Sequence, residues 1–179
     1  MFLKIPCTLL LFLMFATTTF AEIRNFNFKE GNVNVDIPKE WNNAVGYLGI
    51  PLTLLGPIKE GNRPLIYVTP TGVVIDKPMD SEKISQTQDE YKQGRENWLK
   101  KQNGKAVKFY PYTNLDWPNN RKVHKIGYTY QIPKGEFTEY SYYVTCNNKL
   151  YHYKTLMKTD VEKEYTQTVD TILQSIKCN

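Results

Sequence analysis

Apolar and polar residues alternate with a period of two along most of this chain, and the pattern changes to a helical period in two places. Phe26 and Phe28 precede Gly31, and Val33, Val35 and Ile37 follow it, which predicts two short strands between Asn25 and Pro38. Trp41 stands just beyond Ile37-Pro38, where an indole is expected to cap the edge of a core. Arg63 to Val74, with Leu65-Ile66-Tyr67-Val68 at its centre, reads as a further strand. Pro78 and Asp80-Ser81 mark a break and a helix cap. From Glu82 to Gln102 the composition turns helical, with Ile84, Tyr91 and Trp98 recurring every seven residues and Leu99 beside the last. That stripe is narrow and Gly94 interrupts it, so the helix is expected to cover a sheet face loosely. Asn103-Gly104 ends it. Ala106 to Trp117 and Lys122 to Ile132 then read as long strands separated by Pro118-Asn119-Asn120. Nine of the thirteen tyrosines fall between Tyr110 and Tyr153, as a tall antiparallel sheet with a partly aromatic outer face would require.

The last forty or so residues, Phe137 to Cys178, predict the firmest unit. Asn147-Asn148 sits between two strand-forming runs, and asparagine tolerates the positive φ of a two-residue hairpin turn. The turn sets the register. Cys146 faces Lys149, Val144 faces Tyr151, Tyr142 faces Tyr153 and Tyr140 faces Thr155, while the opposite side carries Glu139, Ser141, His152 and Lys154. After Met157, the positions Val161, Tyr165, Val169, Ile172, Leu173 and Ile176 recur at helical spacing, with Thr159 and Glu162 in capping-box positions. The outgoing strand carries the chain roughly 26 Å from the turn at ~3.3 Å per residue. The helix brings it back by roughly 25 Å at ~1.5 Å per residue. Cys178 is therefore expected beside Cys146, bonded to it; the alternative is a buried free Cys146 and a frayed Cys178.

Ala44 to Ile58 is the odd stretch, because it holds no charged residue and is broken by three glycines and two prolines. It either folds in as a buried hairpin or stays out as an apolar contact segment. In the second case Tyr47, Leu48, Ile50, Leu52, Leu54 and Leu55 are the expected ligand- or partner-binding residues.

The N-terminus narrows the setting. A single charge, Lys4, precedes an apolar run from Leu9 to Phe15 and a small, polar stretch ending in Thr19-Phe20-Ala21, the pattern of a secretory leader. The run is shorter than the ~20 residues that a membrane-spanning helix needs. Cleavage after Ala21 would remove 1–21, leave 22–179 as one domain in the periplasm or outside the cell, and take Cys7 with the leader. Two cysteines would remain, an even number in an export setting that preserves disulfides. The net charge of +5 becomes +4 with the loss of Lys4, an ordinary value for a soluble domain that allows weak contact with a membrane surface.

Candidate chemistry changes the picture little. With only His124 and His152, no chelating cysteine pair and no clustered carboxylates, neither a metal site nor a cofactor is expected. Ser81, Ser85, Ser141 and Ser175 lack the glycine-flanked elbow of a serine nucleophile. No catalytic residue can be assigned, and His152, beside Lys154 and opposite Tyr143, is expected on a solvated sheet surface. Lys100, Lys101, Lys105, Lys108, Arg121, Lys122 and Lys125, interleaved with Tyr110 and Tyr112, could bind a polyanion. A solvated rim is the simpler reading, and nucleic acid is not an expected partner of an exported chain.

The order of elements resembles the PsbP-like α/β/α sandwich, shared by photosystem accessory proteins, a yeast Ran-binding protein and uncharacterised bacterial envelope proteins. The resemblance lies in the strand ending Ile37-Pro38 with Trp41 after it, the long terminal hairpin, and a last helix ending Ile172-Leu173-Gln174-Ser175-Ile176. It spans Arg24 to Lys177, and Ala44 to Ile58 stands out as a local elaboration. It implies an α+β fold, an antiparallel sheet flanked by two main helices, and a monomeric accessory or binding module for an envelope protein, lipid or small apolar ligand. No family functional residue maps onto this chain. A small envelope hydrolase around His124 or His152 and a polyanion-binding envelope protein are the competing readings.

Overall fold

A computed structural model describes residues 21–75, 81–119 and 121–178, without the side chains of residues 81, 82, 84 and 85. The leader segment, Pro78 and Asp80 therefore lie outside the described residues, as does the side chain of Ile84. The chain runs β1 (Ala21–Phe28), β2 (Gly31–Pro38), β3 (Asn42–Val45), β4 (Leu52–Leu55), β5 (Leu65–Val74), α1 (Ser81–Lys101), β6 (Lys105–Trp117), β7 (Arg121–Ile132), β8 (Gly135–Cys146), β9 (Lys149–Lys158), α2 (Thr159–Ser175) and β10 (Lys177–Cys178). A 3-10 turn at Tyr47–Gly49 links β3 to β4. Among the described residues, no helix is long and apolar enough to cross a membrane.

The strands form two antiparallel sheets, one of seven strands in the order β3-β4-β5-β9-β8-β7-β6 and one of three in the order β1-β2-β10. The expected single sheet between two helices is corrected here. Val33, Val35 and Ile37 all project from one side of β2 and need an apolar cover. They find it on the main sheet beside α2, so the first hairpin becomes part of a covering layer, with β10 paired to it at Cys178 and Val33. One face of the main sheet thus carries α2 and β2. Their shared core includes Trp41, Leu52, Leu54, Ile66, Val68, Tyr153, Val169, Ile172 and Leu173.

The terminal hairpin has the predicted register, with Tyr142 opposite Tyr153, Val144 opposite Tyr151 and Cys146 opposite Lys149. Asn147 and Asn148 take the positive φ values, 51° and 61°, that the turn demands. Cys146 and Cys178 are disulfide-bonded with their Cα atoms 6.1 Å apart, which ties β8 to the strand that closes the small sheet. The capping box does not form. β9 runs directly into α2, so Lys158 occupies the N-cap and Thr159 is already helical; its hydroxyl lies 3.5 Å from that of Thr138. Asp160 and Glu162 remain in the first turn, where negative charge suits the helix dipole.

The other end of α2 is held by a residue that the local pattern did not single out. Arg121, 4% exposed, donates to the carbonyls of Ile176, Gln174 and Pro118 and lies against the Trp117 ring. A cation there satisfies carbonyls that the helix end leaves without partners. At Gly127 the Tyr140 ring lies where a Cβ would stand, only 2.3 Å from its ideal position, so this strand position requires glycine.

Candidate functional site

The second face of the main sheet is only partly covered. α1 packs over the β6–β8 side, where Leu99, Tyr128 and Tyr130 form a small separate core. Tyr91 meets Tyr128 edge-on at 6.0 Å, and Trp98 meets Tyr130 edge-on at 5.5 Å. Beyond α1 the sheet continues into β9, β5 and β4, with no second helix over this face among the described residues. A cleft of about 300 Å³ opens there. Trp98 and Tyr130 line it, as does Ile50 from the chain just after the 3-10 turn; Tyr67, Thr69, His152, Lys154 and Leu156 contribute from β5 and β9, and Glu139 from β8.

Antiparallel pairing brings these side chains together. The cross-strand row Thr69, His152, Tyr143, His124, Asn114 runs from β5 to β6, and the adjacent row carries Tyr67, Lys154 and Ser141. Both histidines of the chain thus share one row with Tyr143 between them. His152 stacks flat on Tyr143 at 4.9 Å, while His124 Nδ1 lies 2.7 Å from Asn114 Oδ1. Burial pushes the His124 imidazole below its ordinary pKa. The solvated-surface expectation for His152 is corrected, since its Nε2 is buried and has no hydrogen-bond partner. Burial, followed by the positive charges of Lys154 and Arg95, pushes its pKa down to about 4, so the ring is neutral at pH 7.

Among the described residues, Glu139 is the only carboxylate lining the cleft, and its side chain is 7% exposed. Its Oε1 accepts from Arg95 Nη1 at 3.3 Å and faces Lys154 Nζ at 3.7 Å. Lys154 lines the cleft and Arg95 stands beside it, so this cluster of two cations and one carboxylate carries a surplus positive charge at the cleft wall. Burial, with the nearby Glu139 charge, raises the Tyr67 phenol above its ordinary pKa, so it too is neutral.

The charge-free stretch divides between the two expectations. Leu52 and Leu54 are fully buried, because β4 pairs with β5 and turns alternate side chains into the core. They are therefore unavailable to a partner, and Leu55 is half-buried. Thr53, on the opposite side of the strand, is buried as well. Exposed large apolar side chains remain towards the tip, at Val45 (62%), Tyr47 (53%) and Leu48 (82%), and at the far end of the stretch, at Ile58 (64%), with Ile50 turned to the cleft.

The basic run does not form one surface. Arg121 is committed to the end of α2, Lys125 lies 4.0 Å above the Tyr140 ring, and Lys122 pairs with Asp116 at 2.6 Å. Among the described residues there is no cluster of histidine, cysteine and carboxylate side chains suited to a metal. The terminal hairpin pattern had already put Glu139, His152 and Lys154 on one side. Trp98, Tyr67, Thr69 and Arg95 had no such signal, because their convergence depends on where α1 and β5 lie against that hairpin.

No family model and no curated protein sequence matches the chain. Solved structures do. Cyanobacterial PsbP (CyanoP) from Synechocystis sp. PCC 6803 superposes with a TM-score of 0.61 at 10% identity, over 91% of this chain and 96% of that one. The chain has the PsbP-like fold. LpqN of Mycobacterium tuberculosis, a protein involved in cell envelope biogenesis, shows the same PsbP-like likeness, with a TM-score of 0.55 at 9% identity, over 88% of this chain and 91% of that one. The Saccharomyces cerevisiae Ran-binding protein Mog1p reaches a TM-score of 0.44 at 7% identity over 87% and 95%, a value that adds nothing to the assignment. At such identities the PsbP-like relationship concerns the fold, and the cleft's chemistry has to be read from this chain's own residues.

Proposed function

We propose that this protein is an exported, non-enzymatic binding module that holds a small ligand in the cleft and uses the adjacent apolar tip, Tyr47, Leu48 and Ile50, as a secondary contact surface. The observation that carries this reading is the composition of the cleft. Its walls are aromatic and aliphatic, and a few polar groups, including the unpartnered Nε2 of His152, are held within it by the sheet. Binding pockets typically combine a mostly apolar lining with a small number of placed polar groups. Buried polar atoms are normally satisfied, and a ligand would provide the missing partner. The export component rests on the leader pattern before Glu22 and is consistent with LpqN's part in envelope biogenesis.

A fragment screen followed by NMR tests the binding reading. Shifts should gather on the Trp98 indole N–H, the Thr69 amide and the His152 ring, and Ile50→Asp should abolish them without lowering the melting temperature. Shifts scattered over the surface, or none at all, would refute the cleft as a binding site. For export, N-terminal sequencing of the protein recovered from its producing cells should begin at Glu22; an intact Met1 would remove that component.

A further inference from the structure

We infer that the cleft takes a compact amphipathic monoanion, namely an aromatic or branched apolar body of one or two rings carrying a single carboxylate. This rests on the cleft being a binding site and adds the class of ligand. The size follows from the volume of about 300 Å³, the lower end of the range for small-molecule pockets. The apolar body follows from the walls. Trp98 is 37% exposed although it packs edge-on against Tyr130, so part of its indole remains available to a second ring, with Ile50 and Leu156 also bounding the space.

The charge follows from the polar groups. Glu139 is shared between Lys154, which lines the cleft, and Arg95, which stands beside it on α1; both approach the same oxygen, so the three groups together carry one surplus positive charge at the cleft wall. Lys154 and His152 stand two apart on one side of β9, at roughly 7 Å from Cα to Cα. A carboxylate seated between them can accept from the ammonium with one oxygen and from His152 with the other, provided that the imidazole proton is on Nε2. A cationic ligand would have to displace Arg95 and Lys154 from Glu139. A neutral apolar ligand would cover the Lys154 ammonium, which has only the Glu139 oxygen it shares with Arg95, and would leave the His152 nitrogen with no partner, which is unfavourable.

Titration calorimetry with 2-naphthoate and its uncharged isostere 2-naphthamide tests this on the purified protein. The acid should bind at least tenfold more tightly than the amide and weaken as salt is raised. Lys154→Gln should cost the acid about tenfold in affinity without weakening the amide, while Glu139→Gln, which removes the competing carboxylate, should tighten the acid severalfold. If Glu139→Gln unfolds the protein, the Lys154→Gln pair of measurements still decides. Equal affinity for acid and amide, or an acid affinity indifferent to Lys154, would overturn the anion inference while leaving the cleft a binding site. Failure of both naphthyl probes with fragments still binding would overturn the inference alone, and failure of the fragments as well would overturn both.

Discussion

Along β4, β5 and β9, Leu52, Leu54, Ile66, Val68 and Tyr153 on one face of the main sheet are wholly buried, whereas Tyr67, Thr69, His152 and Lys154, their immediate neighbours on the other face, are only partly covered. The strands are the same, and the difference lies in what is stacked on them. The sealed face has α2 and the first hairpin side by side, joined by the β10 tail and the disulfide. Among the described residues the open face has only α1, whose contacts centre on the β6–β8 side around Trp98 and Leu99. A sheet seven strands wide cannot be covered by one helix, because a helix with its side chains is ~10 Å across and neighbouring strands are ~4.8 Å apart. The uncovered part is where polar groups and aromatic walls coexist.

The strongest way to break the comparison is to exchange the character of the two faces. Leu54→Asp would bury an unpaired carboxylate in the sealed core and should abolish cooperative folding, seen as loss of the thermal transition. A partner-binding role for Leu54 would instead leave a folded protein. Next in size is the clasp of the sealed face. Replacing Cys146 and Cys178 together with serine should lower unfolding free energy by about 3 to 4 kcal/mol in denaturant titrations, from the entropy of the released loop. A loss below ~1 kcal/mol would mean that Arg121 and β10 hold the layer without the bond.

The open face should show itself through pH. His152 is neutral in the fold, with its pKa pushed from the ordinary 6.5 to about 4 by burial and by Lys154 and Arg95. Its contribution is therefore fully present above pH ~6.5 and is lost as pH falls towards ~4, by roughly 3 kcal/mol at ~1.4 kcal/mol per pH unit. In His152→Gln that part of the acid slope should vanish, as urea unfolding at pH 7 and pH 4.5 would reveal. An unchanged slope would show that the ring is solvated. The smallest effect belongs to the tip. Leu48→Ser, at 82% exposure, should change stability by less than ~0.5 kcal/mol. A larger loss would mean that the tip packs against the body of the protein.

The parts of the fold that were readable in advance are local ones. The hairpin register followed from Asn147-Asn148, because a two-residue turn leaves one pairing, and the Cys146–Cys178 bond followed from comparing the length of a strand with that of a helix. The capping box failed although its residues were present, since the capping residue must itself be non-helical, and here the extended Lys158 takes that place and Thr159 is already in the helix. Of the candidate site, Glu139, His152 and Lys154 could be placed on one face from alternation alone. Their meeting with Tyr67, Thr69, Arg95 and Trp98 could not, because these residues come from a strand and a helix far away along the chain.

By itself, then, the sequence determined the order of the long strands and the two helices, the terminal register, the covalent clasp and the lack of charge in the stretch after Trp41, all of which depend on spacing along the chain. Only the tertiary structure decided which layer covered which face, how that stretch divided into core and tip, and where the cleft opened. Cover depends on the relative widths of packed layers and on contacts between distant elements, and neither is encoded in any one segment.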